Sequence, residues 1–324
     1  MYSAVRRDDA YRARLLGFLR QEYGIPGEAL TEAPRGFFGE TWRLEADRAS
    51  YFVKADYVPG HQVAFGRSLA VVAALRGQGI DFVPGVVATA DGRLSTRFDG
   101  AVVGVFDWID GVNTESDDTK APEYAMMARV YAADVSGLDI PREAFSGQAA
   151  DRVFARWRRL AGAGDDAAAR QACAVLERYR PELEAWAERL RGFAERCAPD
   201  RSGFVLTHGD AGGNLMTTSG GRRVIVDWDD PLLAPPERDA WCMCAHDWAR
   251  ALFTDALRRQ GIAYELRPER LAYYIYHMCF HYLGELLDAL SAEAPQRSLE
   301  EYLQGWVRER VEYADGHFTL GDAP

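Results

Sequence analysis

The chain has 324 residues, 48% of them hydrophobic and 27% charged, which supplies a large core or two lobes and excludes a disordered chain, a collagen-like fibre and a small disulfide-stapled scaffold. Against 38 Lys and Arg stand 49 Asp and Glu, a net charge of −11, so phosphate polymers and anionic lipid are repelled at long range and a cationic small molecule is attracted. Neither nucleic acid nor membrane is therefore an expected partner.

Charges at Arg6, Arg7, Asp8 and Asp9 stand where a leader would be apolar, and the five cysteines, at 173, 197, 242, 244 and 279, form no CxxC pair. A reducing, cytoplasmic setting is expected. No apolar run approaches the ~20 residues that span a bilayer. Asp8 or Asp9 caps a first helix that carries Leu15, Leu16, Phe18 and Leu19 on one face and ends near Gly24. Strands are expected at Thr41–Glu45 and Ser50–Asp56, around a polar turn at Ala46-Asp47-Arg48. A helix bearing Leu69, Val72 and Leu75 follows and stops near Gly77 and Gly79. Two more strands are expected, at Phe82–Thr89 and Ala101–Phe106. From Ala121 the pattern is helical, with Pro181 dividing one helical region and a strand pair interrupting it within 204–228. Three helical segments follow Arg238 as far as Asp315. The expected class is α+β, with a sheet-bearing part at 1–110 and a helical part at 111–324.

Among the 38 basic residues only Lys54 and Lys120 are lysine. In a chain whose default cation is arginine, a lysine inside an apolar strand marks a place that needs a compact point charge, although codon bias alone also leaves stray lysines. Lys120 is expected to be solvated.

Residues 204–239 read FVLTHGDAGGNLMTTSGGRRVIVDWDDPLLAPPERD. Two short strands, Asn214–Thr217 and Arg222–Asp227, flank a Ser-Gly-Gly turn. A two-residue turn at Gly220-Gly221 sets Asn214 opposite Asp227. The open end of that hairpin gathers three oxygen-bearing side chains. Asp227 and Asn214 supply hard ligands for Mg²⁺, which prefers oxygen and keeps substrate phosphates in its shell. Asp210 is left to orient a hydroxyl and accept its proton. A polar, solvated turn explains any one of these residues; the joint pattern it does not explain.

His208-Gly209-Asp210, then Asn214, then Val226-Asp227-Trp228, resembles the aminoglycoside phosphotransferase family, small-molecule relatives of the protein kinases. The resemblance covers nearly the whole chain, and Val226 to Asp239 is most similar to the spectinomycin-phosphorylating branch. It implies a protein-kinase-like two-lobed fold, with a small antiparallel sheet N-lobe for the nucleotide and a mainly helical C-lobe. It also implies that Asp210 is the catalytic base, that Asn214 and Asp227 hold Mg²⁺, and that Lys54 neutralises the α- and β-phosphates of ATP or GTP. Gly36, Gly39 and Thr41 would belong to the phosphate-covering turn. Asp107 and Ile109 would belong to a hinge whose backbone pairs with the nucleobase. Asp239 matches an aspartate that supports the catalytic loop in relatives.

The chain departs from the family pattern at two places. Asn214 follows Asp210 by four residues instead of five, and Gly212-Gly213 would let the shorter loop reach the same geometry. No glutamate occurs from Val53 to Thr114, and Ser68 stands where relatives carry the helix glutamate that pairs with the strand lysine. Lys54 is then expected to contact Asp56 or a water when nucleotide is absent.

Ala and Gly follow Asp210, without the cation of protein-kinase catalytic loops, and Asp227 lies only ten residues before Glu237, too few for a peptide-docking segment. No GxxxxGK[ST] loop is present. The implied reaction moves a phosphoryl group from ATP to a hydroxyl of a small, cationic molecule. An aminoglycoside-type antibiotic is the leading substrate, spectinomycin first, and a monomer the expected state. Asp229, Asp230 and Glu237 would face the substrate's amines. Tyr274, His277 and His281 lie on an aromatic helix that would line its pocket. His277 and His281, four apart with Glu285 on the same face, also resemble a metal pair, but Met278 replaces the glutamate of HExxH and aromatic packing is the default. Two alternatives remain: a kinase of a metabolic alcohol or amine such as choline or homoserine, and a nucleotide-binding pseudokinase, prompted by the short loop and the missing glutamate.

Overall fold

The computed structural model describes residues 7–34, 39–114, 116–163, 166–288, 290 and 295–318. The chain groups into two compact units, residues 1–141 with 206–233 and residues 142–205 with 234–324.

In the first unit Asp8 caps α1 (Asp9–Tyr23) by accepting from the Tyr11 amide. An antiparallel sheet follows, built from β1 (Gly27–Glu32), β2 (Glu40–Ala46), β3 (Ala49–Asp56), β4 (Val86–Val87), β5 (Ser95–Phe98) and β6 (Ala101–Asp107). Its order is β1-β2-β3-β6-β4, with β5 also paired to β6. One face closes over Leu15 and Leu19 of α1 with Leu30, Trp42, Leu44, Val53, Val103 and Val105. The other receives α2 (Gln62–Gly77), through Phe65 and Leu69 against Val102. Lys54 sits at the centre of the sheet, opposite Thr41 on β2 and Gly104 on β6.

The strand expected over Phe82–Thr89 contracts to Val86–Val87. Pro84 has no N–H to give a ladder, and the Asp107 carboxylate packs on Gly85 so closely that a Cβ there would lie 2.0 Å from it. Strand β7 (Gly111–Asn113) leads to α3 (Lys120–Tyr131). Lys120 is not solvated as expected: it is buried and paired with Glu123 at 3.0 Å, one helical turn on.

Strand β8 (Val205–Thr207) enters the motif segment, which contains β9 (Leu215–Thr218), β10 (Arg223–Ile225) and β11 (Leu232–Ala234). A second sheet has the order β10-β9-β7, and β11 pairs with β8. The hairpin register differs from the expected one. Arg223 faces Thr217, and Thr218 donates to the Arg222 carbonyl at 2.9 Å, leaving a three-residue loop of Ser219, Gly220 and Gly221. Only Gly221 has positive φ, 77°, as in a type I turn closed by a left-handed residue. The one-residue shift puts Val226 opposite Asn214, its N–H on the Asn214 carbonyl at 3.0 Å, and moves Asp227 past the end of the ladder.

The second unit is helical: α4 (Gln148–Ala161), α5 (Ala167–Arg178), α6 (Arg180–Cys197), α7 (Glu237–Ala240), α8 (Asp247–Arg259), α9 (Pro268–Asp288), α10 (Pro295–Gln304) and α11 (Trp306–His317). Pro181 opens α6 from its first turn, where a missing N–H costs nothing. Helix α9 is the core element, its Tyr273, Tyr274, Tyr276 and Phe280 fully buried and its flanks covered by α4 and α6. Beyond Arg238 there is one helix more than expected, because the last stretch is broken at Gly305 into α10 and α11.

Candidate active site

The first unit brings Lys54, Asp210, Asn214 and Asp227 into one body. Strand alternation turns Lys54 toward α2, where its Nζ lies 5.3 Å from the centre of the Phe65 ring. Phe65 precedes Ser68 by three residues on the same helix face. Ser68 itself is buried and spends its hydroxyl on the Phe65 carbonyl at 3.1 Å. The helix therefore offers the lysine a ring instead of a carboxylate.

The acid comes from the hairpin. Lys54 Nζ hydrogen-bonds Asp229 Oδ2 and lies 3.7 Å from Asp227 Oδ1. The expected contact with Asp56 is not made. Asp56 is fully buried and occupied by His61 Nδ1 and the Val58 amide, while His61 Nε2 stands 4.0 Å from Asp229. Burial pushes the Asp229 carboxyl above its usual range; the Lys54 ammonium opposes that rise and the Asp227 charge adds to it. Asp227 has φ 62°, a left-handed conformation that a branched or bulky residue adopts only under strain, and its side chain is half exposed.

The Asp210 loop is closed as a single tight turn. Residues Gly212–Asn214 form a 3₁₀ turn in which the Asn214 N–H donates to Ala211 O at 3.2 Å. The Asn214 carboxamide donates to the Asp210 carbonyl at 2.9 Å and to its carboxylate at 3.3 Å. That carboxylate lies over Gly213, where a Cβ would come within 2.9 Å of Oδ1. The four-residue spacing is thus accommodated by Gly213. Replacing Gly213 with Ala should displace the carboxylate by a few tenths of an ångström and cut turnover while leaving the melting temperature unchanged; steady-state kinetics beside a thermal melt reads both.

His208 fixes the base of the loop. Its Nδ1 accepts from the Asp210 N–H at 3.2 Å, so its Nε2 carries the proton and donates to Val226 O at 2.9 Å. Its ring stands edge-on to Trp228, centroids 4.6 Å apart.

The remaining candidates are spread more widely. Gly36 lies outside the described residues. Gly39 has φ 76° and faces Ala55 O, 2.3 Å from where a Cβ would sit. Thr41 binds the carbonyls of Ala33 and Pro34 at 3.1 and 2.9 Å. Asp107 donates its amide to Gly85 O at 2.8 Å, and both Asp107 and Ile109 line a small cavity with Arg76, Val83 and Arg222. Asp230 is exposed. Glu237, Tyr274, His277 and His281 belong to the second unit. Glu237 is fully buried, where it accepts from Tyr264 and the Arg267 amide, and burial raises its carboxyl. Tyr274 is also fully buried and donates to Glu143 at 3.0 Å. His277 stacks beside His281, which pairs with Glu285 at 3.3 Å. Phe65 and His61 carry no sequence signal beyond their place on and just before α2, and Asn113 carries none.

Among the described residues no group of three or more His, Cys, Asp or Glu side chains is arranged to hold a metal ion. A divalent cation held by one or two carboxylates and completed by phosphates and water does not need such a group, and Asp227 with Asn214 is a donor set of that kind.

A model of the phosphotransferase enzyme family matches residues 29–274. The chain belongs to that family. Membership makes it a phosphoryl-transfer enzyme, as the His-Gly-Asp, Asn and Asp pattern implied. No curated protein sequence matches it. Among solved structures this phosphotransferase is similar to spectinomycin phosphotransferase, APH(9)-Ia, in complex with ADP and spectinomycin, at 17% identity and a TM-score of 0.73, covering 94% of this chain and 97% of that one. It is also similar to a microcompartment-associated aminopropanol kinase, at 17% identity and TM-score 0.65 over 95% and 99% of the two chains. A third likeness is to choline kinase LicA from Streptococcus pneumoniae, at 12% identity and TM-score 0.58 over 95% and 100%. At these identities the likeness establishes the fold, the kinase-like α+β class expected from the sequence.

Proposed function

We propose that the enzyme transfers the γ-phosphoryl group of ATP or GTP to a hydroxyl of a cationic small molecule, an aminoglycoside-type antibiotic, with a spectinomycin-like compound first. The observation that carries this reading is the closed Asp210–Asn214 turn beside Asp227 in the unit that also holds Lys54. Asp210, exposed and oriented by Gly213 and His208, aligns the acceptor hydroxyl and takes its proton. Asn214 and Asp227 would hold Mg²⁺, which when bound neutralises charge on the phosphates. Lys54 adds a compact positive charge at the nucleotide, with the Gly39 and Thr41 turn and the Asp107–Ile109 hinge as the nucleotide's other contacts. Asp229, already on Lys54, and exposed Asp230 supply negative potential for an amine-bearing acceptor; His277 and His281, on α9, are separate candidates for contact with it.

A panel of hydroxyl compounds tests this by ADP or GDP release: spectinomycin, other aminoglycosides, choline, aminopropanol and homoserine. Release confined to the aminoglycosides supports the antibiotic reading. Release with the metabolic alcohols alone would assign the chain to them instead, a second reading that the likeness to aminopropanol and choline kinases favours. No release with any acceptor would overturn both.

Lys54→Arg separates a phosphate contact from a stray lysine. Guanidinium is planar, wider than ammonium, and fixes its donors in a fork. Between the Phe65 ring and the hairpin acids it cannot place its charge where the ammonium sat, and a displacement of ~1 Å at a reacting phosphate costs ~10²-fold. The variant should fold with an unchanged nucleotide-free melting temperature and lose most of its turnover. Full activity would show that the position needs only a cation.

A further inference from the structure

Asn113 ends β7, four residues after Ile109 of the expected hinge. It faces Met216 on β9, and the next residue, Thr114, is stitched to the same strand by its N–H on Leu215 O at 3.1 Å and its hydroxyl on Thr217 Oγ1 at 2.6 Å. The Asn113 side chain reaches past this ladder and donates its Nδ2 hydrogen to the Gly213 carbonyl. Gly213 is the residue over which the Asp210 carboxylate lies, and its neighbour Asn214 holds Asp210 through two hydrogen bonds.

We propose that Asn113 is a positioning residue for phosphoryl transfer: by fixing the Gly213 carbonyl it sets the turn on which the Asp210 carboxylate rests. A loop of four residues rich in glycine has few constraints of its own, because Gly212 and Gly213 carry no side chains to pack. Asn113 supplies the constraint from outside the loop. It comes from a strand that follows the hinge directly, so the segment expected to meet the nucleobase and the turn that carries the base are joined by one amide. The role of Asp210 as base belongs to the functional reading above, on which this inference rests; the hold on the turn does not.

Two variants remove the donor, Asn113→Ala and the isosteric Asn113→Asp. Hydrogen exchange of the amides from 210 to 214 should quicken in both, with the melting temperature unchanged because Asn113 is exposed and β7 keeps its backbone ladder. With an accepted hydroxyl substrate, kcat should fall at least ~10-fold, within the range of a misplaced reacting group, while the KM for nucleotide stays where it was. Unchanged exchange over 210–214 would overturn the proposed hold whether or not the protein is a kinase. Faster exchange with wild-type kcat would overturn the positioning role. Faster exchange in a protein that accepts no hydroxyl substrate keeps the hold and fails the functional reading, so the two are told apart.

Discussion

Asp210→Asn should lower turnover by ~10²–10⁴-fold and leave nucleotide affinity nearly intact. The substitution keeps the size of the side chain and one of its oxygens, so the turn over Gly213 and the Asn214 contact to the Asp210 carbonyl at 2.9 Å survive. What disappears is the charge that, in the proposed reading, draws the acceptor's proton. The backbone N–H of Asp210 remains tied to His208 at 3.2 Å, which keeps the loop in register with the hairpin. In the proposed reading nucleotide binds through Lys54 and the hinge, neither of which the change touches. Single-turnover kinetics with a nucleotide titration on the same preparation checks both halves. Turnover near that of the wild type would show that another group takes the proton.

Asp227→Ala should abolish turnover, and excess Mg²⁺ should not restore it. Asp227 is the carboxylate of the proposed donor pair and lies 3.7 Å from Lys54, so its loss would remove a metal ligand and unbalance the lysine together. Its φ of 62° complicates a simple comparison, since alanine in that conformation carries a cost of ~1–2 kcal/mol. Asp227→Asn answers this, because asparagine tolerates the left-handed region and keeps an oxygen donor while dropping the charge. Both variants should be inactive, with the Asn form melting close to the wild type. Asn214→Ala should be milder and partly rescued by Mg²⁺, an amide being the weaker ligand. Activity in Asp227→Asn at ordinary Mg²⁺ would remove Asp227 from the ligand set.

The parts of this protein that follow from local chemistry could be read in the sequence. The α1 cap at Asp8, the β2–β3 hairpin and the helix bearing Leu69 and Leu75 all obey patterns that span only a few residues. Strand β1 escaped because Gly27–Glu32 alternates weakly and takes its register from β2, a contact between distant segments. The hairpin after Asn214 was visible as a hairpin, but a run of Ser-Gly-Gly permits both a two- and a three-residue loop, and one residue decides what faces Asn214. The partner of Lys54 was illegible for a different reason. Asp229 is 175 positions away, and only folding brings the two together. The misjudged Lys120 had a readable clue, Glu123 one turn along the helix, that average exposure for lysine outweighed.

The burial of both lysines has a practical consequence. Lys54 is 6% exposed and Lys120 3%, and every other basic side chain is an arginine, which acylating reagents for amines do not modify. A native sample treated with such a reagent therefore presents no exposed lysine to couple, to cross-link or to immobilise. Acylation at Lys54 therefore reports opening of the sheet around a single ammonium, and can be followed against a nearly silent background by peptide mass alone.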